Sequence, residues 1–412
     1  MKVLPRHLVL LLIALIVRHY YLIEPLPSTL KVKPLSPSLA PKYSKLHYEN
    51  EQSLDKALKL FQGRFHGAET VEVDTSSDSL YILDRNGYLY TSPVPDTASS
   101  DPLLEKIGYV GPGRPLGYHI HPHTGHLIIC DSLKGLTQYK LETKELQILA
   151  NQDDNGIPIT YANDLDISEK TGDIYFTDST KIPPALNREG FYDTMMSYVL
   201  TAMQGQGTGR LLVYSPDASP ASASPPTSNR DSSKESLSSS TGGTARVLVD
   251  GLYFANGVAL ARDESYVLVA ETSSKRVWKV FLKGEKAGTK SVLIDSLPGY
   301  PDGISRVVAD TTSPDSVDAF WIAIIVGDSP ILKAVYKGGK NARWLASWLL
   351  QVIPPPVKPF GMVMKVSGDG EVLQVYKDPK GKIISGISGV QEVDNKLWMG
   401  HLTGNYVSYL EL

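Results

Sequence analysis

The chain has 412 residues, 42% of them hydrophobic and 21% charged, with a formal net charge of −3. That balance suits a globular fold with a sizeable core, and it argues against nucleic-acid binding, which usually needs a basic face to neutralise phosphates, so no nucleic-acid partner is expected. The single cysteine, Cys130, excludes an intramolecular disulfide; in the run His-Leu-Ile-Ile-Cys it reads as a small buried hydrophobe.

At the amino terminus, Lys2 and Arg6 precede an apolar run over residues 8–17, which Arg18 and His19 interrupt and residues 20–23 extend. As a helix, residues 8–23 would reach roughly 24 Å. No A-x-A-like cleavage site follows, so residues 1–23 are expected to form an uncleaved signal anchor, with a cleaved signal peptide as the alternative. Basic residues ahead of the span predict a type II orientation, with the main domain luminal or extracellular. The expected compartment is the endomembrane system, the endoplasmic reticulum first, with plasma membrane and vacuole open. Residues 24–44 are proline-rich and read as a stalk.

Residues 45–412 repeat. Six segments start on a polar or turn-like step and run into alternating hydrophobics: Glu69-Thr-Val-Glu-Val, Leu116-Gly-Tyr-His-Ile, Asn163-Asp-Leu-Asp-Ile, Asn256-Gly-Val-Ala-Leu, Asp302-Gly-Ile-Ser-Arg and Ser388-Gly-Val-Gln-Glu. In the first four an acid ends the next strand, at Asp84, Asp131, Asp178 and Glu271. Such repeats predict an all-β, six-bladed β-propeller, because one blade cannot bury its faces alone. Residues 62–65 are expected to pair with the last repeat and close the ring. The Ser/Pro/Ala-rich stretch 215–244 reads as a disordered hairpin insertion. His119, His121, His123 and His126 crowd one strand and its turn, and read as a solvated edge in preference to a zinc site. Residues 191–203 and 344–353 are amphipathic; each is read as a helix packed on the rim, with the channel mouth or a membrane surface as alternatives.

Inner strands line a propeller's channel, so equivalent starting positions converge on the axis. That ring reads Glu69, Leu116, Asn163, Asn256, Asp302, Ser388. Two carboxylates and two carboxamides meeting there would repel or take up a proton without a cation. Oxygen-only ligands select a hard ion, and a set made mostly of protein side chains favours calcium. One axial calcium on Glu69, Asn163, Asn256 and Asp302 is therefore predicted, other divalent ions being possible. The competing reading makes Asn256-Gly and Asp302-Gly simple turns; it leaves Glu69 unexplained. The recurring acids are expected to bond loop amides.

The runs Gly113-Arg-Pro-Leu-Gly, Asp131-Ser-Leu-Lys-Gly-Leu, Tyr161-Ala-Asn-Asp-Leu, Ile174-Tyr-Phe-Thr-Asp-Ser, Phe254-Ala-Asn-Gly-Val, Leu268-Val-Ala-Glu-Thr and Pro298-Gly-Tyr-Pro-Asp resemble the strictosidine-synthase-like propellers. The wider superfamily includes paraoxonases, gluconolactonases and diisopropylfluorophosphatase, where an axial Glu, Asn, Asn and Asp hold a catalytic divalent ion. The resemblance implies that Asp302 doubles as base or nucleophile. It departs at Ser385, near the position of strictosidine synthase's glutamate, and at Leu116, where paraoxonases carry a histidine. The expected function is a membrane-anchored, calcium-dependent hydrolase of small ester or lactone substrates, arylesterase- or lactonase-like. The alternatives are a non-catalytic, calcium-stabilised propeller that binds a protein or lipid partner, and a condensing enzyme of the strictosidine synthase type.

Overall fold

The structure, a computed structural model, describes residues 50–95, 102–216, 244–307, 318–352 and 358–412. The expected anchor 1–23, the stalk 24–44 and nearly all of the insertion 215–244 lie outside the described residues. Among the described residues no helix is long and apolar enough to cross a membrane.

Six sheets stand around one axis as a six-bladed β-propeller. Blade 1 runs Val71–Asp74, Ser79–Leu83, Tyr88–Pro93 and Glu105–Tyr109, and blade 2 runs Pro115–Ile120, Leu127–Asp131, Gly135–Lys140 and Glu145–Ala150. Blade 3 comprises Ala162–Ile167, Ile174–Asp178, Gly209–Ser215 and Thr244–Leu252; blade 4 comprises Ala255–Leu260, Tyr266–Glu271, Arg276–Phe281 and Lys290–Ile294. Blade 5 holds Gly299–Arg306, Ala319–Gly327, Gly361–Ser367 and Val372–Asp378, with Glu51–Ser53 added in parallel at its outer edge. Blade 6 holds Ile387–Val393, Lys396–His401 and Val407–Glu411.

Burial falls outward along each blade. In blade 4 the two inner strands are buried throughout, whereas Lys290–Ile294 is mostly exposed. Sequence follows that gradient: Val-Leu-Val-Ala fills the middle, and Lys and Ser reach the rim. The core lies between neighbouring blades. Leu268 and Ala270 of blade 4 pack with Ile304, Phe320 and Met364 of blade 5. Ile128 and Leu136 of blade 2 pack likewise with Phe176 and Leu212 of blade 3.

The ring closes where the domain's start meets its end, but the strand that closes it precedes residues 62–65, which add only a loop contact from the Gly63 nitrogen to the Asn405 carbonyl at 2.8 Å. Leu58–Leu60 is the outer strand of blade 6, and Leu58 lies opposite Tyr409. Phe61 then takes φ 57°, which no strand can continue. Phe61 and Phe65 turn inward to pack with Trp398 and Tyr409. Two aromatics are buried at the seam, which removes more apolar area from water than further edge pairing.

Asn256-Gly257 and Asp302-Gly303 are not turns either; both lie within inner strands. A Cβ on Gly257 would stand 2.3 Å from the Asp302 carbonyl oxygen and 2.4 Å from the Ile304 nitrogen. Glycine is what lets adjacent inner strands touch at the axis. Gly257→Val is therefore expected to destabilise the fold by about 1–3 kcal/mol or more, because rigid backbone must move. Urea unfolding of the variant measures it.

Candidate metal centre and its cavity

Pairing slips one step at the ring position in five blades. The register shifts between Pro115 and Tyr118, Ala162 and Leu165, Ala255 and Val258, Pro301 and Ile304, and Ile387 and Gly389. Such irregularities re-aim a side chain out of the sheet's alternation. Here they sit at Leu116, Asn163, Asn256, Asp302 and Ser388.

Glu69, Asn163, Asn256 and Asp302 line one cavity of about 260 Å³. They come from four blades and are 6%, 2%, 4% and 3% exposed. The carboxamides are held from behind. The Asn163 Nδ2 donates to Ser179 Oγ at 2.8 Å, and that hydroxyl donates to the Ala255 carbonyl of blade 4. The Asn256 Nδ2 donates to Thr272 Oγ1 at 3.2 Å, and Thr272 donates to the Pro301 carbonyl of blade 5 at 2.8 Å. With the amide nitrogens so engaged, Asn163 Oδ1 and Asn256 Oδ1 are buried without a hydrogen-bond partner, as is Glu69 Oε2. Buried oxygens without donors cost about 1–3 kcal/mol each, unless something electropositive meets them. Two carboxylates and two carboxamide oxygens are the donor set of a hard cation, so these residues fit one. Among the described residues no group of three or more His, Cys, Asp or Glu gathers as for a metal ion. The case here rests on the carboxamides.

The other two ring positions do different work. Ser388 Oγ donates to the Glu69 carbonyl at 2.9 Å and holds blade 6 to blade 1. Leu116 is buried against Tyr161 and Phe254. Sequence reasoning missed Ser179 and Thr272. Their signal is positional: each follows a recurring acid, as in Asp178-Ser179 and Glu271-Thr272. Arg114, 2% exposed, also went unnoticed; it donates to the Gly67 and Pro115 carbonyls and supplies positive charge near Glu69.

The recurring acids bond loop amides as expected. Asp84 accepts from the nitrogens of Asn86 and Tyr88, and Asp131 from Leu133 and Lys134. Asp178 accepts from Thr160 and Tyr161, and Glu271 from Tyr253. The histidines form no metal group, yet the solvated-edge reading fails for two of them. His121 is 6% exposed and accepts from the His123 nitrogen at 3.1 Å. His119 faces the channel, its Nδ1 lying 2.8 Å from Glu72 Oε2. Burial disfavours its charge, but Glu72 outweighs that and raises its pKa to about 9.

Burial pushes the Glu69 carboxyl well above its ordinary range, and Asp302 adds to the shift while Arg114 opposes it. Asp302 is raised to about 8, first by burial; a hydrogen bond with Asn256 works against this and Asp164 adds to it. Acids with raised folded-state pKa values bind more protons folded than unfolded, so stability falls as pH rises. In chelator, the melting temperature is expected to drop between the ordinary carboxyl value of 3.8 and about 8. Calcium should flatten that slope, because it stabilises both carboxylates. Thermal scans across pH, with and without chelator, measure it.

Three helices roof the cavity: α1 (Thr194–Gln204), α2 (Pro330–Lys337) and α3 (Gly339–Val352). Asp193 caps α1, its Oδ1 accepting from the Met196 nitrogen at 2.9 Å, and Gly205 ends it in a left-handed conformation. Val199, Ala202 and Met203 of α1 pack against Val335 of α2 and Ala346 and Leu350 of α3. Of the two amphipathic stretches, the helical part of the first, from Thr194, thus covers the channel mouth instead of the rim, and so does the inner face of α3. The walls are Met, Leu, Val, Tyr and Phe side chains, and Glu69 and Asp302 on the floor are the charged lining residues.

Comparison with known proteins agrees with this architecture. The family model for strictosidine synthase matches residues 237–285. Protein STRICTOSIDINE SYNTHASE-LIKE 3 of Arabidopsis thaliana is 31% identical over 310 residues, spanning 73% of this chain and 67% of that protein. The adipocyte plasma membrane-associated protein of Rattus norvegicus is 25% identical over 381 residues, spanning 87% of each. A solved gluconolactonase from Xanthomonas campestris superposes with a TM-score of 0.55 at 14% identity, over 93% of this chain and 99% of that one.

Proposed function

We propose that this chain, which belongs to the strictosidine synthase-like family, is a calcium-dependent hydrolase of uncharged, apolar esters or lactones. One observation carries the reading: partnerless buried oxygens of Glu69, Asn163 and Asn256 stand with Asp302 at the floor of an apolar cavity. Calcium held by those four side chains would supply Lewis-acid polarisation of a carbonyl and positive charge opposite a developing oxyanion. Asp302, which a bound cation would keep as the carboxylate, would take the proton of an attacking water. The Ser179 and Thr272 hydrogen bonds keep the carboxamide oxygens turned to the floor, so no reorientation is needed during turnover. Met195, Tyr198 and Leu349 bind an acyl or aryl group and exclude bulk water. The apolar walls disfavour a charged substrate. The shared propeller fold of the gluconolactonase is compatible with lactone chemistry. Ser385 supplies no acid for a condensing reaction. Residues 1–23 would anchor the enzyme in an endomembrane, with the propeller luminal or extracellular.

The test is hydrolysis of a phenyl acetate and lactone panel by the full-length protein, with calcium and with chelator. Turnover is expected with calcium, and it should vanish with chelator and in Glu69→Gln. If nothing is hydrolysed while calcium still raises the melting temperature, the ion is a staple between blades. The Asn163–Ser179–Ala255 and Asn256–Thr272–Pro301 links, which tie blades 3, 4 and 5, are the feature that second reading would use.

A further inference from the structure

The roof is apolar on both sides. Val335 of α2 and Ala346, Leu349 and Leu350 of α3 face the cavity. On the solvent side, Trp344 is 45% exposed and Leu345 42%, while Ile331, 58% exposed, lines the cavity at its mouth. The Trp344 and Trp348 rings lie 6.2 Å apart, one helical turn along α3. A helix that packs on a protein with one face presents polar residues on the other; one that is apolar around its girth is covered on both. Charge says what does the covering. Residues 329–352 contain four basic residues and no acidic one, in a chain whose net charge is −3. Two of the four, Lys337 and Lys340, are exposed beside the apolar face, whereas Arg343 is buried. Asp328, the nearest preceding acid, is taken up by Lys275. Exposed Trp and Leu flanked by lysine is the pattern of a helix lying in a lipid interface.

We propose that α2 and α3 dock on an anionic lipid surface. Trp344 and Leu345 enter the boundary between headgroups and acyl chains, and Lys337 and Lys340 meet lipid phosphates and carboxylates. The mouth of the axial cavity is thereby set against the bilayer. This holds whether or not the protein hydrolyses esters, since it rests on the outer face of the roof alone.

Tryptophan emission reads the contact directly. The five tryptophans are Trp278, Trp321, Trp344, Trp348 and Trp398; none lies in residues 1–49, so membrane insertion of the amino terminus contributes no signal. Trp321 and Trp398 are buried within the propeller. The full-length protein is reconstituted with phosphatidylcholine vesicles, with or without phosphatidylserine, containing lipids brominated near the headgroup. Emission should be quenched in the phosphatidylserine vesicles and much less in their absence. Each lysine near such a surface is worth a factor of about five in docking, so Lys337→Glu with Lys340→Glu should abolish the quenching. Trp344→Ser should remove most of it. Quenching that is indifferent to phosphatidylserine and to the lysine variants overturns the proposal. Absence of quenching in every vesicle also overturns it, and leaves a protein partner as the cover for this face.

Discussion

Asp302→Asn is expected to lower kcat/KM for an apolar ester by about 10²–10⁴-fold, the usual contribution of a positioned general base. The same substitution should raise the melting temperature in chelator at pH 8. That combination follows from the floor of the cavity. Asp302 and Glu69 are buried 3% and 6% exposed, and each has its proton affinity raised by burial. Without a cation, folding at pH 8 must either hold their charge in a poor solvent or pay to protonate them. Asparagine keeps the shape and removes one charge, so the metal-free fold gains. With calcium present the order reverses, because the variant offers a weaker ligand and forfeits binding energy. For the parent that energy amounts to about 2.7 kcal/mol at a hundredfold excess of calcium over Kd. A variant that merely misfolds would melt lower in both conditions. Scanning calorimetry with calcium and with chelator, run beside the ester assay, separates the two cases. A lower melting temperature in chelator would sink the electrostatic account.

The blades and the ring positions were legible because they are set by local pattern. Leu-Tyr-Ile-Leu-Asp, Ile-Tyr-Phe-Thr-Asp and Val-Leu-Val-Ala-Glu repeat one strand in three contexts, and the convergence of Glu69, Asn163, Asn256 and Asp302 on one cavity follows from aligning the strands that come after them. What stayed hidden depends on partners distant in the chain. Leu58–Leu60 is three residues long, and its pairing with Val407–Glu411 is decided by where Phe61 and Phe65 can be buried. The dipeptides Asn256-Gly257 and Asp302-Gly303 carry the local signature of a turn, yet glycine serves there because a neighbouring strand passes within Cβ distance. Ser179 and Thr272 look like ordinary strand-end hydroxyls until the next blade's carbonyl is in place. Residues 344–353 were amphipathic by sequence, but only the packed roof reveals that one face closes a cavity while the other keeps Trp344 and Leu345 in solvent.

The largest single loss of stability outside the axis is expected from Arg210→Met. Arg210 rises from the third strand of blade 3, and its side chain is 4% exposed. Its Nη1 reaches Asp153 Oδ2 at 2.8 Å, its Nε reaches Asp178 Oδ2 at 3.1 Å, and its Nη2 donates to the Pro158 carbonyl at 2.7 Å. The two carboxylates are 1% and 0% exposed. Removing one partner of a buried ion pair leaves uncompensated charge and costs about 3–5 kcal/mol; here one guanidinium serves two acids. Lysine cannot replace it, because a point charge cannot fork to both. Burial already raises the Asp178 proton affinity, and Arg210 is the first group opposing that shift. In the variant the carboxyl should protonate more readily, so the deficit against the parent should shrink as pH falls. The loss reaches the axis as well. Asp178 Oδ1 accepts from the nitrogens of Thr160 and Tyr161 at 3.2 and 2.8 Å, and so fixes the backbone that leads into Asn163. Denaturant unfolding in chelator gives the stability term, and calcium titration of the folded fraction gives the second. A loss below about 1 kcal/mol, the scale of an exposed ion pair, would show that the triad is dispensable. A full loss with unchanged calcium affinity would show instead that the blade is held by Arg210 but the ring position is not.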